Sequence, residues 1–194
     1  SLSARASGLN TEPDIQVDAR LSELSIETLR EFWPVNTKPN TRSWIDKNLA
    51  DGKLTDTAAT IRLAGANFDE IDVETVALTS TLEGMTVQYI EGLPKAHDAA
   101  GVMTVGLDEV IIDLGGGHLP DARSIRGLRI TGGTLRMYDL GDRGSELADF
   151  DIEMAGDFGT AMRLIDYEPL NYASRMGMDA QGAIGSAEVS LALD

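Results

Sequence analysis

The sequence predicts a mainly β fold with a few short helices (α+β), built on one extended, curved antiparallel sheet. Three observations carry this. Apolar and polar residues alternate with a period of two over many segments, the mark of strands with one buried face. The 20 glycines in 194 residues fall between and inside those segments, where sheets turn or bulge. Helical spacing occurs only in short stretches, so the helices cover the sheet only in part, and an apolar groove is expected on the remainder.

The elements follow in order. Residues 1–13 are small and polar and are expected to be a frayed or disordered terminus. Residues 14–194 are expected to form one β-rich domain. Ile15, Val17, Ala19 and Leu21 alternate with Gln16, Asp18 and Arg20 as a half-buried strand. Ser25 is the expected N-cap of a helix over 26–33, carrying Ile26, Leu29, Phe32 and Trp33 and ended by Pro34. Asn40 or Thr41 caps a second helix with Trp44, Ile45 and Leu49 on one side, and Gly52 lies past its end.

Strands then dominate. The first covers 53–63. Val76, Leu78, Ser80 and Leu82 share one face of the next, and Met85, Val87 and Tyr89 follow on shifted parity, which puts a turn or bulge at Glu83-Gly84. Residues 92–94 break the pattern, and 101–107 and 109–114 resume it. Gly115-Gly116-Gly117 reads as the start of a loop. Gly132-Gly133 reads as a tight hairpin, with a bulged continuous strand as the alternative. Phe150, Ile152 and Met154 make a further strand, stopped at Gly156. Phe158, Ala161, Met162 and Ile165 have helical spacing, and 170–176 adds a helical turn or two. The last strand carries Ala183, Gly185, Ala187, Val189, Leu191 and Leu193 on one face.

Composition excludes several functions. The formal net charge of −16 opposes nucleic-acid binding, which needs cationic side chains to displace counterions, and opposes docking on anionic lipid through a basic patch. The chain has no Cys, hence no disulfide, thiolate nucleophile or Cys-type metal site. It has no apolar run of about 18 residues. Its opening at Ser1-Leu2 without Met suggests a piece of a longer protein.

The chemistry-bearing residues are sparse. His97 and His118 are the only histidines; they lack the HxxxH and HExxH spacings of metal motifs and read as surface-loop residues. The glycine triplet is followed by His118-Leu119-Pro120 rather than the helix start a phosphate loop needs. Asp149, Asp151 and Glu153 form an acidic stripe opposite Phe150, Ile152 and Met154. A polysaccharide hydrolase could be built on such carboxylates, and a solvated strand face is the simpler reading. No Gly-x-Ser-x-Gly elbow is present. No catalytic residue, metal ligand or cofactor is assigned, and the chain reads as non-enzymatic.

Several structural motifs occur in a telling order. Phe32-Trp33-Pro34, Arg42-Ser43-Trp44, Asn48-Leu49 and Gly52 precede a strand at 54–63. Met85–Pro94 (MTVQYIEGLP) follows, then Gly127–Leu140 (GLRITGGTLRMYDL), then Leu164-Ile165 through Pro169-Leu170, then Gly185–Asp194. This series resembles the AsmA-like family of bacterial envelope proteins, in particular its YhdP-type domain, over most of residues 15–194. The resemblance implies a periplasmic segment of a protein anchored in the inner membrane. It implies similarity to bridge-like lipid carriers, whose apolar groove shields acyl chains. Phospholipid, or another envelope lipid, and neighbouring segments of the same chain are the implied partners. A structural or protein-interaction module of the cell envelope without lipid cargo is the alternative.

The candidate site is therefore a face rather than a catalytic cluster. It comprises Val76, Leu78, Leu82, Val87, Tyr89, Val110, Ile112, Leu128, Ile130, Val189 and Leu191. Trp33, Pro34, Arg42, Trp44 and Gly52 are the expected structural anchors beside it.

Overall fold

The structure is a computed structural model and describes residues 1–8, 12–32, 39–121, 124–140, 147–178 and 185–193. Strands take 61% of the described residues. In chain order they and the helices are β1 (Leu2–Ser7), β2 (Asp14–Ser25), α1 (Ile26–Phe32), α2 (Pro39–Asn48), β3 (Leu49–Ala50), β4 (Lys53–Ala64), β5 (Asp72–Val87), β6 (Ala96–Val105), β7 (Val110–Asp121), β8 (Ser124–Tyr138), β9 (Leu147–Asp157), α3 (Phe158–Leu164), α4 (Tyr172–Arg175) and β10 (Ser186–Leu193). The described strands form one ten-stranded open sheet in the order β1-β2-β4-β5-β6-β7-β8-β9-β10, with β3 paired to β5. Every pairing is antiparallel. Neighbours in the sheet are neighbours in sequence nearly throughout, as short connections require.

Local signals set the helices. Ser25 Oγ accepts the Thr28 N–H at 3.1 Å and so caps α1. Asp157 caps α3 in the same way, accepting the Thr160 N–H at 2.9 Å. The last turn of α2 is tied from outside. Arg30 Nη2 donates to the carbonyls of Asp46, at 3.0 Å, and Leu49, while Arg30 Nε lies 3.3 Å from the Asp46 carboxylate. Those carbonyls are the ones a helix end leaves without partners.

Three expectations give way. Residues 2–7, read as a frayed end, pair residue by residue with β2, Leu2 opposite Ala19 and Ser7 opposite Asp14. Main-chain bonding holds this strand, since all its side chains are exposed. Gly115–Gly117 do not begin a loop but lie inside β7, which continues to Asp121. Gly132-Gly133 is the bulged alternative: β8 runs unbroken from Ser124 to Tyr138, with the register against β9 shifting between Ile130 and Gly132. Glycine is needed there because φ is +138° at Gly133 and a Cβ would collide with the Asp151 carbonyl. The shift at Glu83-Gly84 is likewise a bulge inside β5.

The core lies on one face. Ile26 of α1, Ile45 of α2, and Ala161 and Leu164 of α3 join a single buried cluster with Leu54, Leu82, Met85, Met103, Ile112, Ile130, Ile152 and Met154 from the sheet. The connection after β5 contributes Leu93, and the segment after α3 contributes Leu170. These apolar covers lie against the central and C-terminal strands.

Candidate functional site on the apolar sheet face

The apolar face divides into two parts. Leu82, Val87, Val110, Ile112, Leu128 and Ile130 are each 0–1% exposed, so the central part of the predicted face is sealed by the protein's own side chains. Val76 and Leu78 are only half-buried. Tyr89 lies just beyond β5, half-buried, with its ring edge-on to Phe150 of β9 at 6.1 Å. Its hydroxyl is buried without a hydrogen-bond partner, and burial pushes the phenol's pKa up. Val189 and Leu191 stand opposite Met154 and Ile152 in the sheet register; their side chains lie outside the described residues.

The open part is a wing made of β1, β2, β4 and the first half of β5. Residues opposite one another in a ladder share a face, and the register builds three apolar rows. Leu2, Ala19, Ala59 and Leu78 form one; Ala4, Val17, Ile61 and Val76 the second; Ala6, Ile15, Leu63 and Val73 the third. None of these side chains is buried, and Leu2 is 75% exposed. The alternation at 15–21 announces this wing in the sequence, yet Ile15, Val17, Ile61 and Leu63 are absent from the predicted face. Nothing in a period of two distinguishes a covered strand from a bare one.

A hydroxyl pair marks the border between the parts. Thr57 Oγ1 and Ser80 Oγ are 2.8 Å apart and both are buried. Thr57 lies between Leu54 and Ile61 on β4, and Ser80 between Leu82 and Leu78 on β5. Asp56, with φ of +50°, makes the bulge that brings Thr57 to this position.

The wing's other face is charged and ordered. Arg62 bridges Asp14 at 2.8 Å and Glu74 at 3.0 Å. Asp18 accepts the Thr60 hydroxyl at 2.7 Å and the Gln16 amide at 3.0 Å. The hydrogen bond from Arg62 lowers the Asp14 pKa, and those from Thr60 and Gln16 lower that of Asp18. Polar pairing thus fixes which way these strands face.

The remaining predicted positions are structural. Arg42 Nε lies 3.6 Å from Asp46, and Trp44 packs half-buried against the core. Gly52 has φ of +65°, and a Cβ there would sit 2.6 Å from the Glu83 carbonyl oxygen and 2.7 Å from Met85 Sδ. It therefore serves a tight crossing of β3 and β4 past β5 as well as following a helix. Trp33 and Pro34 lie outside the described residues. Asp151 and Glu153 are exposed and Asp149 half-buried, on the face opposite Phe150, Ile152 and Met154, and Asp149 accepts the Tyr138 hydroxyl at 3.1 Å. Among the described residues no group of three or more His, Cys, Asp or Glu side chains is arranged to hold a metal ion, and no helix is long and apolar enough to cross a membrane. His97 and His118 are on paired strands, opposite each other in β6 and β7, rather than in loops.

No protein-family model matches the chain, and no curated protein or solved structure matches it.

Proposed function

We propose that this chain is a non-enzymatic, periplasmic segment of an inner-membrane-anchored envelope protein of the AsmA-like type, and that its apolar wing shields phospholipid acyl chains from water. The single observation that carries the reading is the wing: three cross-strand rows of aliphatic side chains, exposed on β1 and half-buried on β2, β4 and β5, beside a core that is fully sealed. Strand spacing and rise make the patch roughly 14 Å across and 13 Å along the strands. Acyl chains laid on it lose water contact at about 0.8 kcal/mol per CH₂, and headgroups remain in solvent, so no basic pocket is needed. In this reading the sheet curves around the cargo, and further strands of the parent protein extend the groove from the β1 edge. The motif series from Phe32 to the Gly185–Asp194 segment supports the envelope setting.

Mass spectrometry of the purified chain, and of the longer protein that contains it, tests the reading. Phospholipid should co-purify with the native sequence and be lost from Val17→Asp/Val76→Asp, with folding retained. Absence of lipid from both native forms would remove the proposal.

The sealed centre favours a second reading, a structural or protein-interaction module. Leu82, Val110 and Ile112 have no surface left for cargo. That reading gains if Val17→Asp/Val76→Asp abolishes association with a protein partner while lipid content is nil throughout.

A further inference from the structure

We propose that His97 and His118 form a two-imidazole clamp for a divalent transition-metal ion on the outer face of the sheet. The two residues are directly opposite in the β6–β7 ladder. Their rings lie side by side, with centroids 5.9 Å apart and planes inclined by 31°. Each ring has its Nδ1 engaged: His118 Nδ1 faces the Asp98 carboxylate at 3.5 Å, and His97 Nδ1 is 3.3 Å from Thr86 Oγ1.

The Asp98 carboxylate, which can only accept, lies 3.5 Å from His118 Nδ1 and so favours the tautomer with its proton on that nitrogen. With the Nδ1–H of His97 donating to Thr86, both Nε2 atoms hold lone pairs, and no described residue is bonded to either. Metal-binding histidines commonly show this pattern, with the non-ligating nitrogen tied to a carboxylate or oxygen acceptor that fixes tautomer and orientation.

The backbone is bent to produce the arrangement. Between the pairs His97↔His118 and Ala100↔Gly116, β6 spends one residue more than β7. The extra residue turns Asp98 through φ of +50°. In a regular strand Asp98 would point away from His97; the bulge returns it to the histidine face, where it meets His118. Asp is among the few non-glycine residues that adopt positive φ readily, so the bulge accommodates the carboxylate beside His118, as it does Asp56 in β4. Arg129 stands opposite His118 on the next strand, and the Asp98 carboxylate offsets that cation beside a bound ion.

Two neutral imidazoles and open positions suit Zn²⁺ or Cu²⁺, with Cu²⁺ the tighter. The other positions fall to water or to a donor from a partner. Asp98 is a positioning residue and not a ligand, which is why the site does not require a three-donor cluster. The inference is independent of the lipid reading.

The test uses the full chain, with zinc chloride followed by calorimetry and copper sulfate followed by imidazole NMR. One equivalent of Cu²⁺ should broaden the signals of both histidines together. Zn²⁺ should bind one per chain. His97→Gln and His118→Gln should each weaken binding at least tenfold, and Asp98→Asn about tenfold. Broadening of acidic residues instead of the histidines, or Zn²⁺ affinity unchanged in the doubly substituted chain, would overturn the proposal. So would no detectable binding of either ion by the native chain, a result that needs no variant to fold.

Discussion

Val17 and Ile112 occupy equivalent places in their strands. Each is an aliphatic residue on the apolar face, flanked along the chain by residues that point the other way. Yet Ile112 is fully buried and Val17 is only half-covered. The difference arises from what lies above them. Side chains from α1, α2 and α3, and from the segments carrying Leu93 and Leu170, join the core cluster on the central and C-terminal strands, while of the wing's three rows only Val76 and Leu78 pack against its edge. One sheet thus contains a part that has found its core and a part that has not. Isolated aliphatic exposure is ordinary, but three aligned rows of it are a feature to explain.

Large-to-small substitutions should separate the two parts most strongly. Ile112→Ala is expected to destabilise by about 2–5 kcal/mol through lost burial and the cavity left behind. Val17→Ala should cost less than about 1 kcal/mol, since its site has no enclosing packing. Denaturant melts of both variants check this, and equal losses would mean that the wing is covered in solution. Gly52 tests the edge of the sealed part. Gly52→Ala forces a side chain at φ of +65° against the Glu83 carbonyl and should cost about 1–3 kcal/mol. Gly177 is the control: its φ is +68° but its Cβ direction is open, so the same substitution should cost only about 1 kcal/mol.

Smaller effects probe the covers themselves. Arg30→Ala removes the donors that hold the end of α2 and should cost about 1–2 kcal/mol, with faster amide exchange in 39–50 and none in the wing. Tyr89→Phe removes a buried hydroxyl that lacks a partner and should raise stability by about 1 kcal/mol. Acid gives the gentlest perturbation. Asp166 accepts the Ser174 N–H and hydroxyl, both at 2.7 Å, and its pKa is lowered from 3.8 by these bonds. A depressed carboxyl stabilises the fold above its unfolded value and loses that contribution as pH falls below it. Amide exchange should therefore show α4 loosening below pH 3.8 while the β6–β8 core stays protected.

The sheet was legible in the sequence because alternation survives whatever covers the strands. The short helices were legible from Ser25 and from the spacing of Phe158, Ala161 and Met162. Glycine was read less well. Gly132-Gly133 gives the same signal for a hairpin and for a bulge, and only the approach of the Asp151 carbonyl decides between them. Residues 2–7 escaped notice because LSARAS offers little to bury; it is held by its ladder to β2. Leu82 and Ile112 on the candidate face are sealed, whereas Ile15 and Ile61 beyond it are only half-buried. Coverage depends on where distant helices land, which no local period encodes. The histidine pair was equally hidden, since 21 positions of sequence separate His97 from His118 and only the strand register joins them.

The central proposal is that the half-covered wing holds acyl chains on one face only. Photo-crosslinking to a phospholipid with a diazirine in its acyl chain tests it most directly, with the native full chain and its variants presented with vesicles carrying that lipid. The account predicts labelling of the apolar rows at Val17, Ile61 and Val76, no labelling of Thr60 or Ala77 on the opposite face of the same strands, and loss of the signal in Val17→Asp/Val76→Asp. Equal labelling of both faces, or none on the rows, would contradict it.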